Sequence, residues 1–397
     1  MKLFFDDATF DGQLQRTVAK CDHGMANAGE CLTIATAIEP GDRDSWHRAF
    51  SEFASELRRK AAEAERAGHT VTARGYYLRA TEYFRNASFF HRDDLDADEL
   101  QESYAASREC FAAALPNLPF PVTRFEVEGA DGPYGGYLAL PDPAPEEAVP
   151  TVIMPGGYDG TAEEGYPLLV EAAGRGYAAH SFDGPGQGGT LYEQRVFMRP
   201  DWENVLPPVF DALASLPPID ESRITLLGRS FGGYLAPRAA AGESRLAALI
   251  VDPGQYDVGG AMKDRLPPEL VERIAEDSPE ASAAFDALLQ VEPLRQLFLP
   301  RMTAHGAATV QDYVRSLLEY TNEHYAERIG CPTLVCDNET DLISTGQGQR
   351  LAEHLRSPTD FVRFTAGEGA EGHCEGMAAV VFFARAFDWL DRTLSRG

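Results

Sequence analysis

The hexapeptide GRSFGG, residues 228–233, places a serine where nucleophilic chemistry is favoured. The apolar run RITLL comes directly before it and the helix-forming run YLAPRAAA directly after it, so Ser230 is predicted on a sharp turn between a strand and a helix. Such a turn brings backbone segments close together and needs the small neighbours that the flanking glycines supply. The helix that follows also directs free N–H groups toward developing negative charge. We predict that Ser230 is a nucleophile, the competing interpretation being a tight packing turn.

A serine hydroxyl needs a base to take its proton, and the sequence contains a histidine in a suitable position. Of the nine histidines, only His373 lies in a glycine-rich loop, AEGHCEGM, between the last predicted strand and the closing helix. When the nucleophile lies on a strand-to-helix turn of this kind, the order along the chain is nucleophile, acid, base. His373 is therefore the predicted base.

The carboxylate that orients His373 is expected earlier in the chain than His373, in the loop after a strand. The segment DNETD, residues 337–341, offers three carboxylates at a strand end. Asp341 is the preferred acid, because four residues beyond the strand give a loop long enough to bend toward His373. Asp337 is the main alternative, and Asp252, which precedes a long insertion, is a more distant one.

Two backbone N–H groups are expected to stabilise the oxyanion that forms when a serine attacks a carbonyl. The first belongs to Phe231, and the second to Gly157 or Tyr158 in the glycine-rich segment MPGGYDG. Four residues are expected to contact the substrate or, alternatively, to pack against a cap: Tyr158, Gln255, Tyr256 and Asp257.

Short apolar runs alternate with helical stretches from about residue 119 onward, which predicts a mostly parallel sheet covered by helices. Eight strand-like runs are present, at residues 122–127, 134–140, 150–157, 177–186, 223–228, 246–254, 332–338 and 360–366. Helical periodicity dominates before them. We predict an α/β-hydrolase fold in four parts: a helical N-terminal domain (1–118), the first part of the core (119–265), a helical cap insertion (266–328) and the second part of the core (329–397).

Composition excludes several other functions. The formal net charge of −27 disfavours binding to nucleic acids and to anionic membranes, because both are bound through excess Lys and Arg. Six scattered cysteines without CxxC pairs predict reduced thiols and no zinc site, and the N-terminus shows no export signal, so a cytoplasmic location is expected. The segment DGPGQGG lacks the context of a nucleotide-binding loop. No metal or cofactor is expected.

The segments GRSFGGYLAPRAAA, PGGYDG, DGPGQG and RATEYFRNASFFH together resemble the fermentation-respiration-switch-like α/β-hydrolases. This group is similar to the carbon–carbon bond hydrolase that acts on 2,6-dihydroxypseudooxynicotine and to fungal pigment enzymes that shorten a heptaketide. The resemblance implies a catalytic triad of Ser230, Asp341 and His373, an N-terminal helical segment that covers the site, and a homodimer.

The predicted function is therefore a serine hydrolase that uses an acyl-enzyme to cleave a C–C bond next to a ketone in a small aromatic or polyketide-like substrate. A carboxylesterase or lactonase would use the same residues, as would an acyltransferase or cyclase that excludes water from the acyl-enzyme. A hydrolase fold used only for binding is a further alternative.

Overall fold

The computed structural model describes residues 2–143 and 147–395, and its described residues contain one eight-stranded sheet. The strands are β1 (Val122–Gly129), β2 (Gly132–Ala139), β3 (Val149–Pro155), β4 (Ala178–Phe182), β5 (Ile219–Arg229), β6 (Ala248–Asp252), β7 (Thr333–Asn338) and β8 (Thr359–Phe364). Their order is β1-β2-β4-β3-β5-β6-β7-β8. Strand β2 is antiparallel to β1 and β4, and the remaining pairs are parallel. The predicted, mostly parallel sheet is confirmed.

Helices lie before, between and after these strands. The N-terminal helices are α1 (Ala8–Val18), α2 (Ala28–Ala35), α3 (Arg43–Arg66), α4 (Thr70–Ala87) and α5 (Asp98–Ala114). Those of the first core part are α6 (Tyr166–Ala173), α7 (Gly188–Tyr192), α8 (Leu206–Ala214) and α9 (Gly232–Ala240). Between β6 and β7 come α10 (Val258–Arg265), α11 (Pro268–Val271), α12 (Pro279–Asp286), α13 (Glu292–His305) and α14 (Val310–Leu317), and α15 (Gln347–His354) and α16 (Ala379–Leu394) follow.

The central strands are apolar because helices cover both faces of the sheet. Every residue of β4, β6 and β7 is buried, whereas most of the edge strand β8 is partly or fully exposed. Strands β5, β6, β7 and β8 are neighbouring and parallel, so their carboxyl ends meet at one edge of the sheet. The loops that carry Ser230, Asp341 and His373 leave from this edge.

The N-terminal helices pack around an aromatic core. Trp46 and Phe50 on α3 are fully buried, and the Trp46 ring contacts Phe10 of α1 at 5.0 Å between centroids and Phe90, which follows α4, at 5.1 Å. Asp42 begins α3 by accepting hydrogen bonds from the N–H groups of the first turn. This packing fixes the helices as a unit beside the sheet.

The helical insertion between β6 and β7 begins earlier than residue 266, because Asp257 accepts a hydrogen bond from Gly260 N at 2.9 Å and thereby starts α10. The division into domains stays a prediction. No helix in the described ranges is both long and apolar enough to cross a lipid bilayer.

Candidate active site

Ser230 lies on a tight turn between β5 and α9 and has a left-handed φ of 57°. This conformation is strained for a residue with a side chain and persists only where the surroundings enforce it. The space around the turn admits only glycine, since a methyl group on Gly228 would lie 2.1 Å from Gly232 O, and one on Gly233 would lie 1.9 Å from Pro253 O. The predicted strand-to-helix turn is therefore present.

The structure brings the serine, the histidine and one aspartate into a continuous chain of hydrogen bonds. The distance from Ser230 Oγ to His373 Nε2 is 2.8 Å, and His373 Nδ1 lies 2.9 Å from Asp341 Oδ2. An Nδ1–H that donates to the carboxylate leaves Nε2 free to accept the serine proton. The alternative acid Asp337 instead accepts from Asn338 N at 2.8 Å, so the imidazole is paired with Asp341.

Asp341 is held in its ionised form. Burial alone would raise its pKa, but hydrogen bonds from His373 and Ser344 Oγ, and from Ile343 N at 2.8 Å, outweigh burial and lower the pKa to about 2. A buried carboxylate with three donors keeps both its charge and its orientation over the physiological pH range.

Opposing effects act on the imidazole of His373. Burial lowers its pKa, whereas the neighbouring Cys374 sulfur and the hydrogen-bonded Asp341 carboxylate raise it, and the net result is a pKa well above 6.5. A histidine base acts only in its neutral form. The rate of a reaction at this site is therefore expected to rise with pH at a higher pH than for an isolated histidine.

A partly buried arginine connects the serine turn with the loop that carries the imidazole. Arg229 Nε donates to Asp252 Oδ2 at 2.8 Å, and Arg229 Nη2 donates to Cys374 O at 2.7 Å and to Glu375 Oε2 at 3.1 Å. Cys374 and Glu375 both have left-handed φ angles, 51° and 58°. Arg229 thus holds this strained loop in place. Arg229 was not among the residues predicted from the sequence, although a charged residue directly beside the predicted nucleophile was a usable signal.

The loop after β3, residues 156–160, passes directly against the serine. A methyl group on Gly157 would lie 3.2 Å from Ser230 Cβ and 3.5 Å from Phe231 N. In the described parts of the chain, the N–H groups of Gly157, Tyr158 and Phe231 donate to no protein acceptor. The loop of the predicted oxyanion donors therefore lies beside Ser230, and these N–H groups have no protein partner among the described residues.

Two glutamines fix the backbone of this region. Gln187 Nε2 donates to Gly156 O at 2.5 Å, and Gln255 Nε2 donates to Ser230 O at 2.6 Å. Gln187 comes from DGPGQGG, so that segment acts here as a turn that supports the 156–160 loop. Gln255 was predicted as a substrate contact, and in the structure its side-chain amide donates to the backbone carbonyl of Ser230.

Charged residues of the N-terminal helices hold the other side of the same loop. Arg92 Nη1 donates to Asp159, and Arg16 donates to Glu164 through Nε at 2.7 Å and through Nη2 at 2.6 Å. Burial raises the pKa of Asp159, but the arginines around it, chiefly Arg92 and Arg16, lower it to about 2. The network ties the 156–160 loop to α1 and to the segment after α4.

Tyr158 connects this loop to the helical insertion. Its ring stacks on Phe231 at 3.9 Å between centroids, and its hydroxyl lies 2.7 Å from His305 Nε2 on α13. Burial lowers the pKa of His305 to about 3, so the ring is neutral. Ser316 Oγ donates to Tyr313 O at 2.8 Å and lies 3.1 Å from His305 Nδ1. Ser316 Oγ therefore accepts from Nδ1–H and leaves Nε2 to accept from Tyr158.

The other two predicted substrate contacts have structural partners. Tyr256 is 3% exposed and stacks on His354 at 4.3 Å between ring centroids. Asp257 caps α10, as described above. Their role in substrate binding stays a prediction. Among the described residues, no cluster of three or more His, Cys, Asp or Glu side chains is arranged to hold a metal ion.

Comparison with known proteins places the chain in a family. Residues 38–254 match the family described as esterase FrsA-like, and residues 151–381 match the alpha/beta hydrolase family. Hydrolase acrC of Aspergillus aculeatus is 31% identical over 98% of this chain and 97% of its own length. The 20-hydroxy-prefusarin hydrolase FUS2 of Gibberella moniliformis is 30% identical over 99% of this chain and 98% of its own length.

The fold also matches a solved structure. The 2,6-dihydroxy-pseudo-oxynicotine hydrolase superposes with a TM-score of 0.70 at 23% identity, covering 94% of each chain. Each family match covers more than half of the chain, and each fungal relative spans nearly all of it. The chain belongs to the α/β-hydrolase family of enzymes and, within it, to the esterase FrsA-like group.

Proposed function

We propose that the chain is a serine hydrolase in which Ser230 is the nucleophile, His373 the general base and Asp341 the orienting acid. The observation that carries this proposal is the unbroken chain from Ser230 Oγ to His373 Nε2, 2.8 Å, and from His373 Nδ1 to Asp341 Oδ2, 2.9 Å. A serine, an imidazole and an ionised carboxylate in this order can transfer one proton away from the attacking hydroxyl and later return it.

The reaction begins when Ser230 Oγ attacks a carbonyl carbon of the substrate and its proton moves to His373 Nε2. Asp341 stabilises the resulting imidazolium. The free N–H group of Phe231, with that of Gly157 or Tyr158, donates to the oxygen that becomes negatively charged. Among the described residues no protein acceptor competes for these donors.

In the second step the tetrahedral intermediate collapses and one bond to the former carbonyl carbon breaks. If that bond is C–C, the electron pair leaves on carbon and must be delocalised by a neighbouring carbonyl or phenolic ring, while the His373 imidazolium supplies the proton. Water then attacks the acyl-enzyme, its proton passing to His373, and Ser230 is regenerated together with a carboxylic acid.

We propose a C–C bond next to a ketone, in a small 1,3-diketone-like aromatic or polyketide substrate, as the bond that is cleaved. The names of two similar proteins support this class: a hydrolase of 20-hydroxy-prefusarin and a hydrolase of 2,6-dihydroxy-pseudo-oxynicotine. The second candidate is a carboxylesterase or lactonase, which the description of the esterase FrsA-like family favours. A homodimer remains a prediction from family resemblance.

The test compares unaltered protein with Ser230→Ala on a panel of aryl 1,3-diketones and p-nitrophenyl esters, with both products and intact protein mass recorded. Turnover of diketones with an acyl adduct on Ser230, and loss of both in Ser230→Ala, is the expected result. Turnover of esters alone would replace the C–C assignment with an esterase.

The same experiment addresses the remaining alternatives. Transfer of the acyl group to an added alcohol or to a hydroxyl of the substrate, without release of acid, would identify an acyltransferase or cyclase. Absence of both turnover and adduct across the whole panel would contradict the proposal and favour a binding role.

A further inference from the structure

A cleft of about 280 Å³ lies between the N-terminal helices, the helix α13 and the two loops that flank Ser230. Asp159 lines it from the 156–160 loop, and Ile343, whose N–H holds Asp341, lines it from the opposite side. The cleft therefore reaches the loop of the proposed oxyanion donors and the loop that carries Asp341, while Ser230, Asp341 and His373 themselves do not line it. Its apolar lining includes Phe10 and Phe89, which suits the carbon skeleton of a small molecule.

The charged lining of the cleft has an excess of arginine, in a protein whose net charge is −27. The four arginines are Arg43, Arg92, Arg295 and Arg301, and three carboxylates accompany them. Clefts that concentrate charge of one sign attract ligands of the opposite sign. The four arginines exceed the three carboxylates by one positive charge, which favours an anionic ligand over a cationic one.

These arginines differ in their partners. Arg43 pairs with Asp93 at 3.0 Å, and Arg92 pairs with Asp159. Within residues 2–143 and 147–395, Arg301 forms neither an ion pair nor a hydrogen bond, although it is only partly exposed. Arg295 also lacks an acceptor in these ranges but is exposed to solvent. A partly buried guanidinium that has lost some water and gained no protein acceptor retains its donors for a ligand.

The position of Arg301 relates it to the nucleophile. Its guanidinium carbon lies 5.2 Å from the centre of the Tyr158 ring, which stacks at 3.9 Å on Phe231, the residue after Ser230. A ligand group held by Arg301 would thus lie two stacked rings away from the reacting carbonyl. Such a contact binds the remote end of a substrate and leaves the chemistry to Ser230.

We propose that Arg301 forms a subsite for a carboxylate at the end of the substrate remote from the scissile bond, an inference that rests on the proposed function of the site. A planar guanidinium binds a planar carboxylate through two parallel N–H donors. The nearby carboxylates of Asp159 and Glu292 disfavour a doubly charged phosphate, because it would meet their charge as well. The substrate class is a keto acid with an aromatic or polyketide chain.

Binding is tested without turnover, in the Ser230→Ala protein, by titration calorimetry with phenylalkanoates from 3-phenylpropanoate to 6-phenylhexanoate and with the matched primary amides. We expect at least one carboxylate to bind about tenfold more tightly than its amide. Adding Arg301→Gln should reduce this preference to less than about threefold, and Arg301→Lys should retain part of it because the charge remains. Arg356→Gln, which removes an arginine side chain 74% exposed near α15, is the control and should leave the preference intact.

Two results would overturn the subsite: no carboxylate preference at any chain length, including no detectable binding, or a preference that survives Arg301→Gln. These outcomes are independent of the proposed reaction. A serine that a fluorophosphonate fails to label would contradict the catalytic role of Ser230 and leave the binding preference unaffected. A labelled serine without carboxylate preference would do the reverse.

Discussion

The two sides of Ser230 are built from different parts of the chain. On the side of the base, Asp341 and His373 follow β7 and β8, and Arg229 and Asp252 end β5 and β6, so every support belongs to one edge of the sheet. Contacts among residues of a packed parallel sheet are rigid, because both faces are buried. The proposed proton-transfer groups therefore lie on loops that leave directly from this edge of the sheet.

On the side of the oxyanion donors, the supports come from elsewhere. The 156–160 loop is held by Arg92, which follows α4, by Gln187, and by His305 of the helical insertion. The core supplies the reacting groups, whereas the added helical regions set the position of the donors. Changes on the first side should abolish the reaction, and changes on the second should weaken it while Ser230 stays reactive.

The largest effect is expected from His373→Gln, which removes the base. By analogy with knockouts of this group in other serine enzymes, kcat should fall by about 10⁶-fold. The exposed His324 offers a matched control, and His324→Gln should keep kcat within about twofold. Steady-state kinetics on the best substrate of the panel measures both. A His373→Gln protein that retains a tenth of the activity would contradict the assignment of His373 as the base.

The next effect concerns the acid. Asp341→Asn should lower kcat by about 10⁴-fold, because the imidazolium loses its partner and the ring its correct tautomer. Asp337→Asn is the matched control at the rival carboxylate and should change kcat only slightly, since Asp337 does not contact His373. Equal losses in the two variants would contradict the assignment of Asp341.

The pH profile tests the same pair. The pKa of His373 is raised in the unaltered protein and only the neutral ring acts as a base, so kcat/KM should rise with pH through a midpoint above 6.5. Removing the Asp341 charge takes away one of the two neighbours that raise the pKa of the imidazole, while burial, which lowers this pKa, remains. In Asp341→Asn the midpoint should therefore move to lower pH. A shift to higher pH would contradict this electrostatic account.

On the oxyanion side, Arg92→Gln should lower kcat/KM by about tenfold to a hundredfold, less than the loss of a whole oxyanion donor. Asp159 would lose its short ion pair and the 156–160 loop its anchor. Labelling of Ser230 by a fluorophosphonate should persist. Arg58→Gln, which breaks the exposed pair with Glu109, is the control and should have little effect. Complete loss of labelling in folded Arg92→Gln would contradict the expectation that substitutions on the oxyanion side leave Ser230 reactive.

The smallest effect is expected from Tyr158→Phe, which removes the hydroxyl that pairs with His305. The ring stacking on Phe231 is retained, so kcat should fall only a few-fold. The free energy of unfolding should drop by about 1 to 3 kcal/mol, because His305 Nε2 is left without a partner. Urea denaturation measures it. Tyr325→Phe, whose hydroxyl has no acceptor in the described residues, is the control.

The sheet and the arrangement of Ser230, His373 and Asp341 could be predicted from the sequence because both depend on local patterns. Apolar runs marked all eight strands to within a few residues, and the glycines around Ser230 indicated the turn that a left-handed serine requires. His373 and Asp341 stood out because they follow the last two strands, where parallel strands bring distant loops together.

The contacts that hold the loops of the site in place could not be predicted from local sequence patterns. Arg229 and Glu375 are 146 positions apart, and Arg16 and Glu164 are 148 apart, so their contacts exist only once the chain has folded. Asp257 and Tyr256 were expected to contact the substrate or to pack against a cap, and the sequence did not indicate that Asp257 caps α10 or that Tyr256 packs on His354.

The most direct test of the central claim is the reaction of the unaltered protein with a fluorophosphonate, followed by intact mass and peptide mapping. We expect one adduct per chain on Ser230, formed faster as His373 loses its proton and absent from Ser230→Ala. Absence of any adduct on the folded protein, or an equal adduct on Ser230→Ala, would contradict it.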